Sequence, residues 1–240
     1  MHRLAFAAAA GLVMGLAGCG LSDRADAGPK IDRSFEVAGF TGLEVSGPYD
    51  VTVKVGGPLA VHANGSEKSV DAMKIGVKDG RLQISPKPHY GLNLGWWHSG
   101  PVSLVVTVPA LTSASIAGSG GIKVDEVRGS SFRGEIAGSG DLKLRSIDVA
   151  EVNLSIAGSG GVQASGKARS VNYKIAGSGR IDASSLVAET AKISVAGSGD
   201  IRSHATAAAA IEVLGSGDVE LTGGAKCSIT RQGSGTIHCS

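Results

Sequence analysis

The chain has 240 residues, a formal net charge of +2 at pH 7, 42% hydrophobic residues and only 4% aromatic ones. That length can bury a substantial core, which excludes a miniprotein, and the near-neutral charge offers no electrostatic case for nucleic-acid binding. The 37 glycines would suggest low complexity if they were scattered, but they recur with a period, and three cysteines are too few for a disulfide scaffold.

Residues 1–18 open on His2 and Arg3, run apolar from Leu4 to Gly15 and end in Leu16-Ala17-Gly18, directly before Cys19. This is a secretory signal pattern, too short to span a membrane. Leu-Ala-Gly-Cys resembles the bacterial lipobox, which implies diacylation of Cys19 and attachment to a membrane through two acyl chains. Gly20 in place of aspartate points, by the Gram-negative sorting rule, to the outer membrane. An ordinary cleavage site beside a chance cysteine is the alternative. Residues 19–30 then form the lipidated cysteine and a small, polar tether.

Residues 31–109 carry short apolar alternations that read as irregular first coils of the architecture that follows. Val45 to Val53 contains a degenerate corner, Ser46-Gly47-Pro48-Tyr49, followed by a strand; Gly80 to Ile84 and Val102 to Val108 are further strands. Residues 86–101 interrupt this texture with an insertion that holds His89, Tyr90, Trp96, Trp97 and His98.

From residue 110 to 240 the tripeptide Gly-Ser-Gly recurs, starting at Gly118, Gly138, Gly158, Gly177, Gly197, Gly215 and Gly233, at spacings of 18–20 residues. Four residues after each first glycine stand Ile122, Leu142, Val162, Ile181, Ile201, Val219 and Ile237. Two before it stand Ile116, Ile136, Ile156, Ile175, Val195 and Val213, with Arg231 breaking the column in the last copy. A third column, four before, runs Ala114, Gly134, Leu154, Tyr173, Ile193, Ile211 and Ile229. Within a copy the apolar residues alternate, as strands with one buried face do. Strands whose apolar columns recur at this period stack as a solenoid, with the glycines at the corners and six intervals spanning about 29 Å at about 4.8 Å per coil. An antiparallel sandwich also has short alternating strands, but gives no reason for seven identical corners.

The order Phe40 to Val45, Tyr49-Asp50-Val51, Asp79-Gly80-Arg81-Leu82 and Val106 to Leu111, followed by the Gly-Ser-Gly repeats, resembles the putative autotransporter adhesin head GIN domain family over residues 31–240. The resemblance implies an all-β, single-stranded, right-handed β-helix-like solenoid on a secreted or surface lipoprotein, with no established activity. A C-terminal translocator barrel is not expected from the residues that follow the repeats.

The insertion is the first candidate for ligand contact: Trp96, Trp97, Tyr90 and His98 could stack on sugar rings or enter a bilayer interface, or fold over the solenoid as an apolar lid. Asp141, Asp200 and Asp218 follow the corners but share their column with Arg180, so they read as turn residues and not as a calcium row. The stacked corner serines could present a hydroxyl lattice of the ice-binding kind, although such faces favour threonine-rich strands. The histidines His62, His89, His98, His204 and His238 are dispersed, so no metal site, cofactor or catalytic constellation is expected. The expected function is therefore a non-enzymatic, lipid-anchored envelope protein with a binding, adhesion or structural role toward a glycan or protein. The alternative is a polysaccharide-active enzyme on the same scaffold.

Cys227 and Cys239 flank the last corner, and a disulfide between them would tie down a terminal coil weakened by Arg231. Two buried thiols are the alternative, because the strand pairing that best aligns the aliphatic columns sets Ile229 opposite Cys239.

Overall fold

The computed structural model describes residues 28–88 and 102–240, so the signal segment, Cys19 and the insertion aromatics Tyr90, Trp96, Trp97 and His98 lie outside the described residues. In chain order the first elements are β1 (Lys30–Phe35), β2 (Gly42–Ser46), β3 (Asp50–Val55), β4 (Ala60–Ser66), α1 (Glu67–Asp71), β5 (Met73–Lys78), β6 (Arg81–Pro86) and β7 (Ser103–Val108). There follow β8 (Ser113–Gly118), β9 (Gly121–Val124), β10 (Val127–Gly138), β11 (Asp141–Gly158), β12 (Gly161–Gly177), β13 (Arg180–Gly197), β14 (Asp200–Gly215), β15 (Val219–Thr222), β16 (Lys226–Gln232) and β17 (Ile237–Cys239). Together they make a β-solenoid of about 6 turns.

The coil containing β11 shows how the sequence winds. Its inward residues are Leu142 and Leu144, then Ile147 and Val149, then Val152, Leu154 and Ile156. Alternation breaks at Arg145-Ser146 and again at Ala150-Glu151, where two exposed residues stand together. Each break turns the chain, so a coil has three straight runs, and Gly158-Ser159-Gly160 closes the third back onto the first. The coils pair in parallel and in register: Ile116, Ile136, Ile156, Ile175, Val195 and Val213 are successive partners. All six are buried, so the core consists of aliphatic columns that run along the stack, each ring of side chains packed on the next.

The two glycines of a corner answer different constraints. The first has positive φ, from +126° at Gly138 to +131° at Gly215, and a Cβ on Gly138 would stand 2.5 Å from the carbonyl oxygen of Gly118. The third has no room: a Cβ on Gly140 would meet the Gly120 oxygen at 2.5 Å and Ile116 Cγ2 at 2.6 Å. This closeness lets the corner join the hydrogen-bond ladder. The Ser139 N–H donates to Gly118 O, Ser159 to Gly138, Ser178 to Gly158 and Ser198 to Gly177, each at 2.9 Å. The corner serines face solvent, and Ser216 and Ser234 hydrogen-bond to each other at 3.0 Å.

The first residues do start the stack, but not in chain order. The coil β2–β3 lies between β8–β9 on one side and β6–β7 on the other, all parallel. Gly47 takes the corner with φ +106° beneath Gly118. Three antiparallel strands then close this end: β4 on β7, β1 on β4, and β5 on β6. The β5–β6 hairpin turns through Asp79 and Gly80, with φ values of +50° and +70°, the positive pair that a two-residue hairpin requires. Helix α1 was not foreseen; Ser66 caps it by accepting from the Ser69 N–H at 3.2 Å.

At the opposite end, β16 and β17 do not pair with each other. Cys227 lies on Ala209 and Cys239 on Leu221, so they occupy different runs of the final coil. The expected opposition of Ile229 and Cys239 therefore does not occur. The structure joins the two cysteines in a disulfide across the coil interior, with Cα atoms 6.7 Å apart. Among the described residues no further coil pairs with this one, and Ile229 is 48% exposed although it continues the Ile211 column.

Tyr173 is the largest fully buried side chain. Burial pushes its phenol above the ordinary range, an effect that the Ser203 hydroxyl partly offsets. Neither hydroxyl has a hydrogen-bond partner of good geometry among the described residues.

Three measurements check this reading. Gly158→Val and Gly197→Val each place a Cβ against the carbonyl of the preceding coil at positive φ, and should lose about 2 kcal/mol or more, read as a lower Tm; wild-type melting for both would overturn the stacked corner. Alkylation of the unreduced protein should leave Cys227 and Cys239 unmodified in peptide mass mapping, and Cys227→Ser should cost about 3 kcal/mol. Tyr173→Phe should be neutral or stabilising by about 1 kcal/mol, since it removes a buried unpaired hydroxyl. Because burial raises the folded phenol's pKa above its ordinary value of 10.0, stability should decline as pH rises above that value, and less steeply in Tyr173→Phe.

Candidate binding surfaces

The insertion replaces a corner. In the coil β6–β7 the chain leaves at Pro86 and returns at Ser103, and these strands stack on β2 and β3, which Gly47-Pro48-Tyr49 connects. The described chain therefore leaves the fold and re-enters it at the end of the Gly-Ser-Gly column, at the first coil of the stack. Both points are tied in: the Lys87 N–H donates to Ala72 O at 2.8 Å and Val102 is buried.

The chain enters β1 at the same end of the stack. Asp32 pairs with Asn64, and Asn64 with Ser103, so Lys30 at the start of β1 lies one strand away, across β4, from the point where the chain re-enters the fold. The pairing alone dictates this, because β1 and β7 flank β4. Sequence separation hides it, since some seventy residues lie between Lys30 and Ser103.

Several of the remaining outward side chains neutralise one another along the stack. Arg180 pairs with Asp200 at 3.2 Å, Arg202 with Glu220 at 3.2 Å and Lys167 with Asp148 at 3.2 Å. Asp218 accepts the Thr236 N–H at 2.7 Å, so two of the three acids singled out in sequence, Asp200 and Asp218, have structural partners. Asp141 stands between Gly121 and Gly161 in register, and a Cβ on Gly161 would meet its Oδ1 at 2.7 Å. The alternation of glycine and aspartate thus gives the carboxylate space and keeps like charges two coils apart. His204 bonds Thr222 at 3.1 Å. His62 bonds Ser34 at 3.0 Å as an exposed cross-strand pair between β4 and β1.

Among the described residues, no group of three or more His, Cys, Asp or Glu could hold a metal ion, and no helix is long and apolar enough to cross a membrane. The described grooves are open and shallow and lie along the runs of the coils, one of them over Lys123, Lys143 and Arg145.

A family model described as "Putative auto-transporter adhesin, head GIN domain" matches residues 39–225. The fold is shared with several solved structures. One, described as a putative adhesin from Bacteroides fragilis, is 22% identical with a TM-score of 0.76, covering 88% of this chain and 97% of the other. A second, a putative lipid binding protein from Parabacteroides distasonis, is 22% identical with a TM-score of 0.70, covering 89% and 97%. A third, a putative adhesin from Parabacteroides merdae, is 16% identical with a TM-score of 0.68, covering 89% and 97%. No curated protein matches the chain significantly.

Proposed function

Because this chain belongs to the head GIN domain family, we propose that it is a lipid-anchored, non-enzymatic protein of the bacterial cell envelope that binds a partner from the surface of its solenoid. Cys19 carries the lipid, residues 20–30 are the tether, and the outer membrane is the anchoring bilayer. The adhesin description of solved structures with this fold supports a binding role. The observation that supports it is that Lys30, at the head of β1, and Ser103, where the chain re-enters after the insertion, stand at the same end of the stack, one strand apart across β4, at the row Asp32–Asn64–Ser103. One end of the rod is thereby committed to the bilayer side, and its runs and far end stand free toward a partner.

In this arrangement Trp96, Trp97, Tyr90 and His98 are the ligand-contacting residues of the insertion, held within reach of the bilayer by a tether of eleven residues, about 38 Å when fully extended. Rings at that height suit a partner that is itself part of the envelope, such as a glycan chain.

Two variants test the reading. Cys19→Ala should move the protein from the membrane pellet to the soluble fraction in detergent-free fractionation, and unchanged partitioning would count against the anchor. Trp96→Ala combined with Trp97→Ala should leave Tm unchanged and lower retention on purified envelope glycans. Release of shortened saccharides from those glycans by the wild-type protein would instead favour the polysaccharide-active enzyme.

A further inference from the structure

The outward column of the first run reads Lys123, Lys143, Gln163, Asp182, Arg202, Glu220 and His238, in register from coil to coil. Its two halves behave differently. Beyond Gln163 the charges alternate in sign, and Arg202 and Glu220 form an ion pair. Before it, Lys143 stacks directly on Lys123, and Arg145 stands two residues along the same strand, on the same side. None of these three cations has a carboxylate within ion-pair distance among the described residues. Like charges directly opposite on neighbouring strands are destabilising, so this cluster costs the fold stability where the rest of the column contributes it.

The backbone around the cluster is shaped by a difference in coil length. The first turn of the β12 coil is one residue shorter than the same turn in the coils on either side, and the register shifts at Leu144/Ile147 and again at Gln163/Ser165. Gly166, at φ +128°, makes the short turn possible by packing against the Ile147 backbone where a side chain has no room. The longer turns at Arg145-Ser146 and Ser184-Ser185 therefore project on both sides of a notch whose floor is Ala164.

The nearby acid is already occupied. Asp182 Oδ1 accepts from the Ser184 hydroxyl at 2.7 Å and the Ser184 N–H at 3.3 Å. Ser165 is also committed, donating to Arg145 O at 2.5 Å, which braces the projecting turn. The Gln163 amide and the Ser185 hydroxyl have no partner among the described residues and face the same groove. Three unpaired cations, a free amide and a free hydroxyl thus converge on one recess.

We propose that this notch binds an anionic group, carboxylate or phosphate, carried on a saccharide chain. Two lysines on adjacent strands and an arginine beside them can share one oxyanion, while Gln163 and Ser185 suit sugar hydroxyls. No aromatic ring lines the notch, so it lacks the stacking platform that a nucleic-acid base would need. The inference deepens the binding role proposed above, rests on it, and adds a second contact surface away from the insertion.

The test is binding of the full chain to immobilised polygalacturonate and phosphomannan, which separate carboxylate from phosphate on a saccharide chain, with dextran as the neutral control and anionic phospholipid vesicles alongside. Wild-type protein should bind one or both anionic polymers but not dextran, and more weakly as salt rises from about 50 to about 300 mM. The triple variant Lys123→Gln, Lys143→Gln, Arg145→Gln should bind about tenfold or more weakly with an equal or higher Tm. A control triple on the third run, Lys174→Gln, Lys192→Gln, Lys226→Gln, should stay within about twofold of wild type. Equal losses in the two triples, binding to vesicles alone, or no binding to either polymer would overturn the notch. Glycan retention that disappears with the Trp96→Ala, Trp97→Ala pair but is untouched by the notch triple would also overturn it, and would leave the proposed binding role standing.

Discussion

The whole structure depends on how closely one coil can approach the next at the Gly-Ser-Gly corner. Parallel strands hydrogen-bond only at the spacing set by their backbones, so a sharp turn repeated in every coil must fit within that spacing too. The carbonyl of each first corner glycine lies where a Cβ of the next coil would stand, from Gly118 beneath Gly138 through to Gly215 beneath Gly233. Glycine satisfies both the positive φ and the missing volume. In return, the corner N–H groups join the inter-coil ladder, and the strands leave the corner in register, which aligns the aliphatic columns.

The two ends meet the exposed-edge problem in different ways. At the first coil, β4 and β5 run antiparallel to the stack and cover it, with β1 paired antiparallel to β4 and α1 between β4 and β5. At the last coil no such cover stands among the described residues. Arg231 replaces the aliphatic residue of its column and donates to Gly235 O at 3.0 Å, placing a charge where an apolar residue would invite another strand. The disulfide between Cys227 and Cys239 links two runs of that coil, which otherwise have neighbours on one side only.

Charge is arranged along the stack more than along the chain. Residues about twenty apart become neighbours, so Arg180 meets Asp200, and Arg202 meets Glu220 across eighteen residues. Three such pairs run between coils, whereas at Lys123, Lys143 and Arg145 three cations without an ion-pair partner among the described residues stand together. The coil that breaks the charge pattern also adjoins the one with a shortened turn, so electrostatics and backbone shape single out the same recess.

The sequence by itself determined the repeat, the solenoid and the residues of its core. Period-2 alternation with identical corners has one economical packing solution, and the columns of Ile116, Ile122 and Ala114 can be read off directly. It also supplied the position of the degenerate corner at Gly47. Only the tertiary structure decided the order of the first coils, because the hydrophobic pattern of a strand is the same whichever neighbour it pairs with, and β2–β3 could have stood first or second in the stack. For the same reason it alone brought β1 and β7 to either side of β4, with Asp32 in the row of Ser103, and separated Cys227 from Cys239 onto different runs. The notch at Gln163 escaped sequence reading too. A single missing residue in one turn changes the shape of the surface through its two neighbouring coils, and those neighbours are twenty residues away in the chain.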